Sequence, residues 1–145
     1  MQAAVGCAQL KKFPGFVARR RHNFDRLRKA LACVEDKLIL PVACPNTNPS
    51  WFGFLMTCRP GVDREKVVSY VEEHGVQTRM LFSGNLIKHP CFDEMRASKE
   101  GYRVVGELTN TDTIMTDTFW VGLYPGMSDE MIDYMADVIV KAVSQ

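Results

Sequence analysis

The stretch that decides the fold covers residues 51–58, Trp51-Phe52-Gly53-Phe54-Leu55-Met56-Thr57-Cys58. It is aromatic and apolar without an intervening charge, and such a short run predicts a β-strand covered over most of both faces. The preceding loop is rich in turn-forming residues and contains Pro45-Asn46-Thr47-Asn48-Pro49-Ser50. We therefore expect a buried strand that is entered from a loop.

Three shorter apolar segments predict the remaining strands, at residues 38–42, 76–81 and 118–124. Two helices between and after them have clear start signals. Asp63 is a good N-cap for a helix over 64–74 that ends at Gly75. Ser128 caps a helix over 128–143 whose apolar residues repeat at helical spacing. A further helix over 107–116 has mediocre propensity because it contains four threonines.

The first 35 residues form a separate helical arm in this interpretation. Residues 2–12 predict a short helix, Pro14-Gly15 interrupts it, and a longer helix restarts at Phe16 and runs to Val34. We expect a broken helical arm over residues 1–35 and a small α/β domain over residues 36–145. Strands alternating with helices place the fold class as α/β (α+β), a two-layer sandwich of about four short strands.

Composition and length indicate a single globular unit. The chain has 145 residues and a mass of 16.4 kDa, with 46% hydrophobic and 24% charged residues, values typical of one folded domain. No apolar run approaches the roughly 20 residues that a membrane helix needs. Residues 1–7 lack a basic segment followed by an apolar one, so no signal peptide is predicted. We expect a cytoplasmic protein without a membrane span.

The cysteines and histidines have no spacing typical of a metal site. Five cysteines lie at irregular intervals without a Cys-x-x-Cys pair, and the three histidines are equally scattered. Because cytoplasmic thiols stay reduced, we expect free, mostly packed cysteines and no metal ion.

Basic residues are concentrated near the amino terminus. Residues 1–35 contain eight Lys or Arg against Asp25 and Glu35, whereas the remainder contains ten against fifteen acidic residues. A basic arm can bind nucleic acid. The same segment nevertheless has an apolar helical face that includes Phe24 and Leu27, a pattern equally typical of a solvated amphipathic helix. No stacking platform or nucleic-acid motif accompanies it, so nucleic-acid binding is the weakest function considered.

Residue types alone form no active site. The chain has no phosphate-binding glycine loop, nucleophile elbow or zinc-protease motif. Arg79 is the exception, because its guanidinium lies on a short strand just before the turn Ser83-Gly84-Asn85 and could hold a carboxylate or phosphate. A salt bridge from Arg79 to Glu72 or Glu107 is the alternative.

Four segments resemble a known family, the CDP-4-keto-6-deoxyglucose 3-dehydrases of the DegT/DnrJ/EryC1/StrS sugar aminotransferase group, which are fold-type-I pyridoxal-phosphate enzymes. The segments are Asn48-Pro49-Ser50-Trp51-Phe52-Gly53-Phe54, Thr78-Arg79-Met80-Leu81-Phe82-Ser83-Gly84-Asn85-Leu86, Tyr102-Arg103-Val104-Val105-Gly106-Glu107-Leu108-Thr109-Asn110-Thr111-Asp112 and Thr118-Phe119-Trp120-Val121-Gly122-Leu123-Tyr124-Pro125-Gly126. The resemblance covers essentially the whole chain. It implies the family's small C-terminal domain, a short, mostly antiparallel sheet packed against helices.

For the complete enzyme the resemblance implies removal of the C3 hydroxyl of a CDP-linked 4-keto sugar, in deoxysugar and lipopolysaccharide biosynthesis. Pyridoxamine or pyridoxal phosphate and a 2Fe-2S cluster serve as cofactors, and an iron-sulfur flavin reductase supplies electrons. The cofactor loop, the pyridine-binding Asp, the active-site His and the cluster cysteines belong to a large domain that this sequence does not match. We therefore expect no cofactor in this chain, no catalytic residue and no activity in isolation.

The resemblance also implies that the small domain covers the substrate cleft, with Arg79, Ser83 and Asn85 facing the CDP-sugar. Its partner would be the missing large domain or a second subunit. An independent binding or interaction module with the same fold is the alternative. Because the amino-terminal helix would normally pack on the absent domain, we expect exposed Val5, Leu10 and Phe13 and self-association into a homo-oligomer.

Overall fold

A computed structural model describes all residues from Met1 to Gln145. Its strands β1 (Leu38–Ile39), β2 (Gly53–Cys58), β3 (Thr78–Met80) and β4 (Thr118–Gly122) form one sheet in the order β1-β2-β4-β3, and every pair is antiparallel. The helices are α1 (Gln2–Ala30), α2 (Arg64–Glu73), α3 (Asp93–Ser98), α4 (Thr109–Asp117) and α5 (Asp129–Ala142), with short 3₁₀ helices at Leu31–Val34, Leu86–Lys88 and Pro90–Phe92. The expected sheet-and-helix fold class is confirmed.

The core lies on one face of the ladder between β2 and β4. Phe54 and Met56 of β2 stand opposite Val121 and Phe119 of β4, and all four side chains are fully buried. Helices α1, α2 and α5 cover this face with apolar residues, among them Phe24, Leu27, Val67, Val71, Ile132, Met135, Val138 and Ile139. Full burial of one such side chain stabilises the fold by roughly 1.5–3 kcal/mol. This cluster therefore holds the sheet and the three helices together.

The opposite face of the ladder is only partly covered. Along β2, buried residues alternate with half-buried ones, and the half-buried set contains Gly53, Leu55 and Thr57. The expectation that both faces of this strand are mostly covered is therefore wrong for the second face. The physical reason is the helix distribution, because the three largest apolar helix faces all pack on the first face.

The helix ends follow the predicted capping signals. The carboxylate of Asp63 accepts hydrogen bonds from the backbone N–H groups of Glu65 at 3.0 Å and Lys66 at 3.3 Å, which satisfies donors that the first turn leaves free. Ser128 accepts from the N–H of Met131 at 3.3 Å in the same way. Gly75 has a φ of +77°, the left-handed conformation that ends a helix.

Helix α1 is continuous, so the predicted break at Pro14-Gly15 is wrong. Pro14 lies inside the helix, where its ring removes the hydrogen bond to the carbonyl of Leu10. All residues from 1 to 16 are exposed, so water can hydrogen-bond the freed carbonyl. The exposure expected for Val5, Leu10 and Phe13 is confirmed, with fractions of 61%, 70% and 57%.

The second half of α1 belongs to the same core as the sheet. Phe24 stacks on Trp51 with ring centroids 4.9 Å apart and contacts Phe54 at 5.0 Å. Leu27 is fully buried, as is Leu31 in the 3₁₀ helix that follows. Residues 1–35 are therefore half exposed arm and half core, while their connection to a further domain stays a prediction.

The thiols are free, and only one of them is packed. Cys7, Cys33, Cys44 and Cys91 are exposed, so the expectation of mostly packed cysteines is wrong, because most of them lie in the arm and in loops. Burial raises the pKa of the Cys58 thiol to about 11.

None of the helices has both the length and the apolar composition of a membrane span.

A cluster of charges fixes α1 against the first turn of α5. Asp129 lies 2.7 Å from the Arg19 guanidinium, 3.1 Å from His22 Nε2 and 3.0 Å from Arg26. Arg26 also makes a bidentate pair with Asp133, with both N···O distances at 2.7 Å. The carboxylates lie near the helix N-terminus, where the helix dipole favours negative charge. The basic face of α1 thus has an intramolecular partner.

These contacts predict a loss of stability in acid. Hydrogen bonding from His22, and then from Arg19, lowers the pKa of Asp129 below its ordinary 3.8, and the hydrogen bond from Arg26 lowers the pKa of Asp133. A lowered folded-state pKa gives stability that is present above pH 3.8 and lost as the pH falls through the folded value. We expect Asp133→Asn to be less stable than wild type at pH 7, with the difference shrinking below pH ~4.

Urea unfolding curves from pH 7 to pH 2 measure this difference. Asp137→Asn is the control, since Asp137 lies on the exposed side of the same helix and makes no salt bridge. Because Asp137→Asn removes no ion pair, it should lower stability at pH 7 less than Asp133→Asn does. An Asp133→Asn effect that stayed constant down to pH 2 would contradict the assignment.

Candidate functional site

A groove of about 730 Å³ opens at the end of the sheet where β3 begins and β4 ends. Helix α5 forms one wall with Met131 and Tyr134, and the sheet forms the other with Arg79 and Trp120. Arg20 reaches it from α1. Its size and mostly apolar lining, with a few charged groups, are those of a small-molecule site.

Arg79 enters this groove without an intramolecular partner. It is exposed, it stands opposite Trp120 in the β3–β4 ladder, and it makes no salt bridge. The alternative pairing with Glu72 is not observed, and Glu72 Oε1 instead accepts a 2.5 Å hydrogen bond from the Thr78 hydroxyl. Glu107 has no ion pair either. The guanidinium is therefore free to hold an anionic or hydroxyl-bearing ligand.

Trp120 lies across the sheet beside Arg79. Its indole Nε1 donates a 3.2 Å hydrogen bond to the carbonyl oxygen of Met80 on β3. On the other side, its six-membered ring fills the space where a side chain at Gly53 of β2 would begin. Phe52 contacts the ring at a centroid distance of 5.3 Å. Trp120 thus bridges three neighbouring strands next to the free guanidinium.

Hydrogen bonds and close packing hold the turn after β3 against α4. Asn85 is buried, and its amide nitrogen donates a 2.7 Å hydrogen bond to Asp112 Oδ1. Lys88 binds the other oxygen of Asp112 at 2.7 Å, and these hydrogen bonds, first that of Lys88 and then that of Asn85, lower the pKa of Asp112. At Gly84, a Cβ atom would come within 2.6 Å of Met115. The turn therefore has little freedom to move relative to α4.

The structure does not bring the predicted substrate-binding residues together in one site. Arg79 lines the groove where β3 begins, whereas Ser83 and Asn85 lie in the turn after the other end of β3 and outside the groove lining. Ser83 is exposed and its carbonyl oxygen lies 2.6 Å from His89 Nε2, while the Asn85 amide nitrogen is already bonded to Asp112. Their contact with substrate stays a prediction.

Several groove residues were not predicted from sequence. Arg20, Trp120 and Tyr124 line the groove, and no sequence motif assigns them a binding role. Tyr134 on α5 donates a hydrogen bond to the carbonyl of His74 at 2.9 Å, and its ring lines the groove. The one available signal was the turn at Pro125-Gly126, which brings the end of β4 and the start of α5 to the same edge.

The groove does not provide a complete pyridoxal-phosphate site. Such a site needs a lysine, or the histidine that replaces it in this resemblance, and a partner for the pyridine nitrogen. The lining residues include Arg20, Arg79 and the carboxylate of Glu130 but no lysine or histidine. This residue set does not fit the cofactor.

The short antiparallel sheet with its helices on one face defines an α+β domain of the fold-type-I pyridoxal-phosphate enzymes. A solved structure of E. coli GDP-4-keto-6-deoxy-D-mannose-3-dehydratase with bound hydrated PLP is similar, with 25% identity and a TM-score of 0.78 over 94% of this chain and 34% of that one. A sequence profile then matches residues 1–140. The chain belongs to the DegT/DnrJ/EryC1/StrS aminotransferase family.

Two curated relatives are similar over nearly the whole chain. One is the lipopolysaccharide biosynthesis protein RfbH of Salmonella typhimurium, 47% identical over 93% of this chain and 30% of its own length. The other is dTDP-4-dehydro-2,6-dideoxy-D-glucose 3-dehydratase of Saccharopolyspora spinosa, 42% identical over 100% of this chain and 30% of its own length. The chain thus spans about 30% of the length of these relatives.

Phe82 gives a test of strain in the turn. Its φ of +48° lies in the left-handed region, and its side chain is 85% exposed, so no packing favours a bulky residue there. A Cβ atom in this region costs roughly 1–2 kcal/mol, partly offset for glycine by greater freedom in the unfolded chain. We expect Phe82→Gly to be more stable than Phe82→Ala by about 0.5–1 kcal/mol in urea unfolding. Equal stability of the two variants would contradict this backbone conformation.

Proposed function

We propose that this chain is the C-terminal domain of a pyridoxamine- or pyridoxal-phosphate-dependent CDP-4-keto-6-deoxy-D-glucose 3-dehydrase, in which it covers the substrate cleft. The observation that carries the proposal is the similarity to two sugar-biosynthesis proteins along almost the entire chain. One of them is named as a 3-dehydratase of a nucleotide-linked keto sugar. The product would be a deoxysugar for surface polysaccharide.

The free guanidinium of Arg79 supports a role in substrate binding. A guanidinium offers several N–H donors in a fixed plane, which suits the oxygen atoms of a diphosphate or of a sugar. Arg79 makes no salt bridge within the chain, and it lines the groove with aromatic residues. In the proposal, Arg79 holds the CDP-sugar and Ser83 and Asn85 shape the neighbouring turn.

The chemistry of deoxygenation would be supplied by groups outside this chain. Pyridoxamine phosphate and a 2Fe-2S cluster would be held by the large domain or a partner subunit, and an iron-sulfur flavin reductase would deliver electrons. The exposed apolar residues Val5, Leu10 and Phe13 on α1 offer a surface for that domain or for a second copy. The same exposure favours the second candidate function, a stand-alone interaction module.

We expect the isolated chain to have no catalytic activity. Purified 145-residue protein, mixed with pyridoxamine phosphate, the reductase and a CDP-linked 4-keto sugar, should give no 3-deoxy product and no protein-bound cofactor absorbance. A full-length dehydrase of the family, assayed alongside, shows that the reagents are competent. Turnover by the isolated chain would overturn the proposal of a covering domain. Specific cofactor uptake would contradict the conclusion that the groove residues do not fit the cofactor.

The role of Arg79 is tested in a full-length relative whose C-terminal part is replaced by this chain. Loss of a charged hydrogen bond costs roughly 1.5–3 kcal/mol, so Arg79→Ala should raise the dissociation constant for the CDP-sugar by about tenfold to a hundredfold. Arg103→Ala is the matched control, since Arg103 is exposed and lies outside the groove. Unchanged substrate affinity after Arg79→Ala would remove the assignment.

A further inference from the structure

We propose that Trp120 is a positioning residue for the segment from Arg79 to Asn85, and that position 53 is a glycine so that the Trp120 indole can lie flat across the sheet. This inference rests on the proposed binding role of that segment. Trp120 also lines the groove, and the inference concerns the hydrogen bond of its indole N–H rather than the ring surface that faces the groove. Its action runs through the backbone of β3.

The first argument is the direction of the indole. In the order β2-β4-β3, the central strand β4 carries Trp120. The indole Nε1 points to β3, where it donates to the Met80 carbonyl at 3.2 Å. The opposite edge of the ring points to β2, where it lies over Gly53. The ring therefore reaches from β3 to β2 and ties β3, an edge strand of only three residues, to β2.

The second argument is the space at Gly53. A Cβ atom on Gly53 would lie 2.5 Å from Trp120 Cε3 and 2.9 Å from Cζ3, distances that real side chains do not adopt. The backbone at Gly53 is outside the left-handed region, so its conformation does not require glycine. The glycine is therefore explained by the ring that it accommodates. Gly122, directly opposite it in the ladder, has open space at its Cβ position.

The third argument is the carbonyl oxygen of Met80. This atom accepts two hydrogen bonds, one from the Trp120 indole and one from the backbone N–H of Phe82 at 2.7 Å. The second bond reverses the chain immediately after β3. Its geometry depends on how the carbonyl is oriented, and the indole N–H fixes that orientation from the sheet side. Trp120 thereby sets the angle between Arg79 on the strand and the turn that contains Ser83 and Asn85.

The experiment first measures the segment without ligand. Amide hydrogen exchange by NMR reports local opening of hydrogen bonds. We expect Trp120→Phe, which keeps a ring but lacks the N–H, to speed exchange at the Phe82 amide about tenfold and to leave the β2–β4 amides unchanged. Gly53→Ala should do the same and should also shift the Trp120 indole N–H resonance, because the new methyl group displaces the ring. Gly122→Ala is the matched control and should change neither.

A binding cycle then separates positioning from general stability. Inorganic pyrophosphate serves as the probe for the wild-type chain, Arg79→Ala, Trp120→Phe and the double variant. If Trp120 acts through the Arg79 segment, each single change raises the dissociation constant for pyrophosphate about tenfold. The dissociation constant of the double variant is then no higher than that of the single variant that binds less tightly. A merely structural effect would instead add to the loss from Arg79→Ala.

The outcomes distinguish this inference from the proposed function. Unchanged exchange at Phe82 in Trp120→Phe, or additive losses in the cycle, would overturn the positioning role even if Arg79 binds pyrophosphate. Failure of the wild-type chain to bind pyrophosphate would count against the proposed role of Arg79 in this chain, while the exchange rates would still decide whether Trp120 holds the turn. Faster exchange confined to the turn in both Trp120→Phe and Gly53→Ala supports the inference.

Discussion

The structure depends on the burial of one face of the β2–β4 ladder. Phe54, Met56, Phe119 and Val121 exclude water on that face, and helices of very different sequence position converge on it. The helix that begins at Asp129 supplies the largest apolar stripe. Because the hydrophobic effect scales with apolar area removed from water, the shared face brings the amino-terminal and carboxyl-terminal helices together. Their charges then fix the register of that contact.

Because α1, α2 and α5 pack on one face of the ladder, its other face stays partly open. The residues of β2 and β4 that point away from the core alternate with buried ones, and they include Gly53, Leu55 and Trp120. A large half-buried aromatic residue at such a position can order a neighbouring strand while one edge of it remains open to a groove. The period-two geometry of a strand therefore allows adjacent residues to serve the core and the groove separately.

Sequence patterns predicted the parts of the fold that depend on local signals. Helix α5 was predictable because its cap, first-turn acids and apolar period agree, and Asp63 and Gly75 marked the ends of α2 equally well. The continuity of α1 was not predictable, because the exposure of Pro14 depends on the tertiary structure and not on the local sequence. In the site, Arg79 stood out by its charge on an apolar strand, but the place of Trp120 over Gly53 arises from pairing between strands 65 residues apart in sequence, which a local pattern does not contain.

The turn after β3 combines strain with firm anchoring. Phe82 adopts a left-handed conformation that costs a bulky residue roughly 1–2 kcal/mol, and its ring is exposed rather than packed. Such a conformation persists only where the surrounding structure determines it. Here the anchors lie on both sides, with Met80 held by Trp120 before the turn and Asn85 held by Asp112 after it. The strain and the two anchors together hold the turn in one conformation, which is what the proposed binding role of this segment requires.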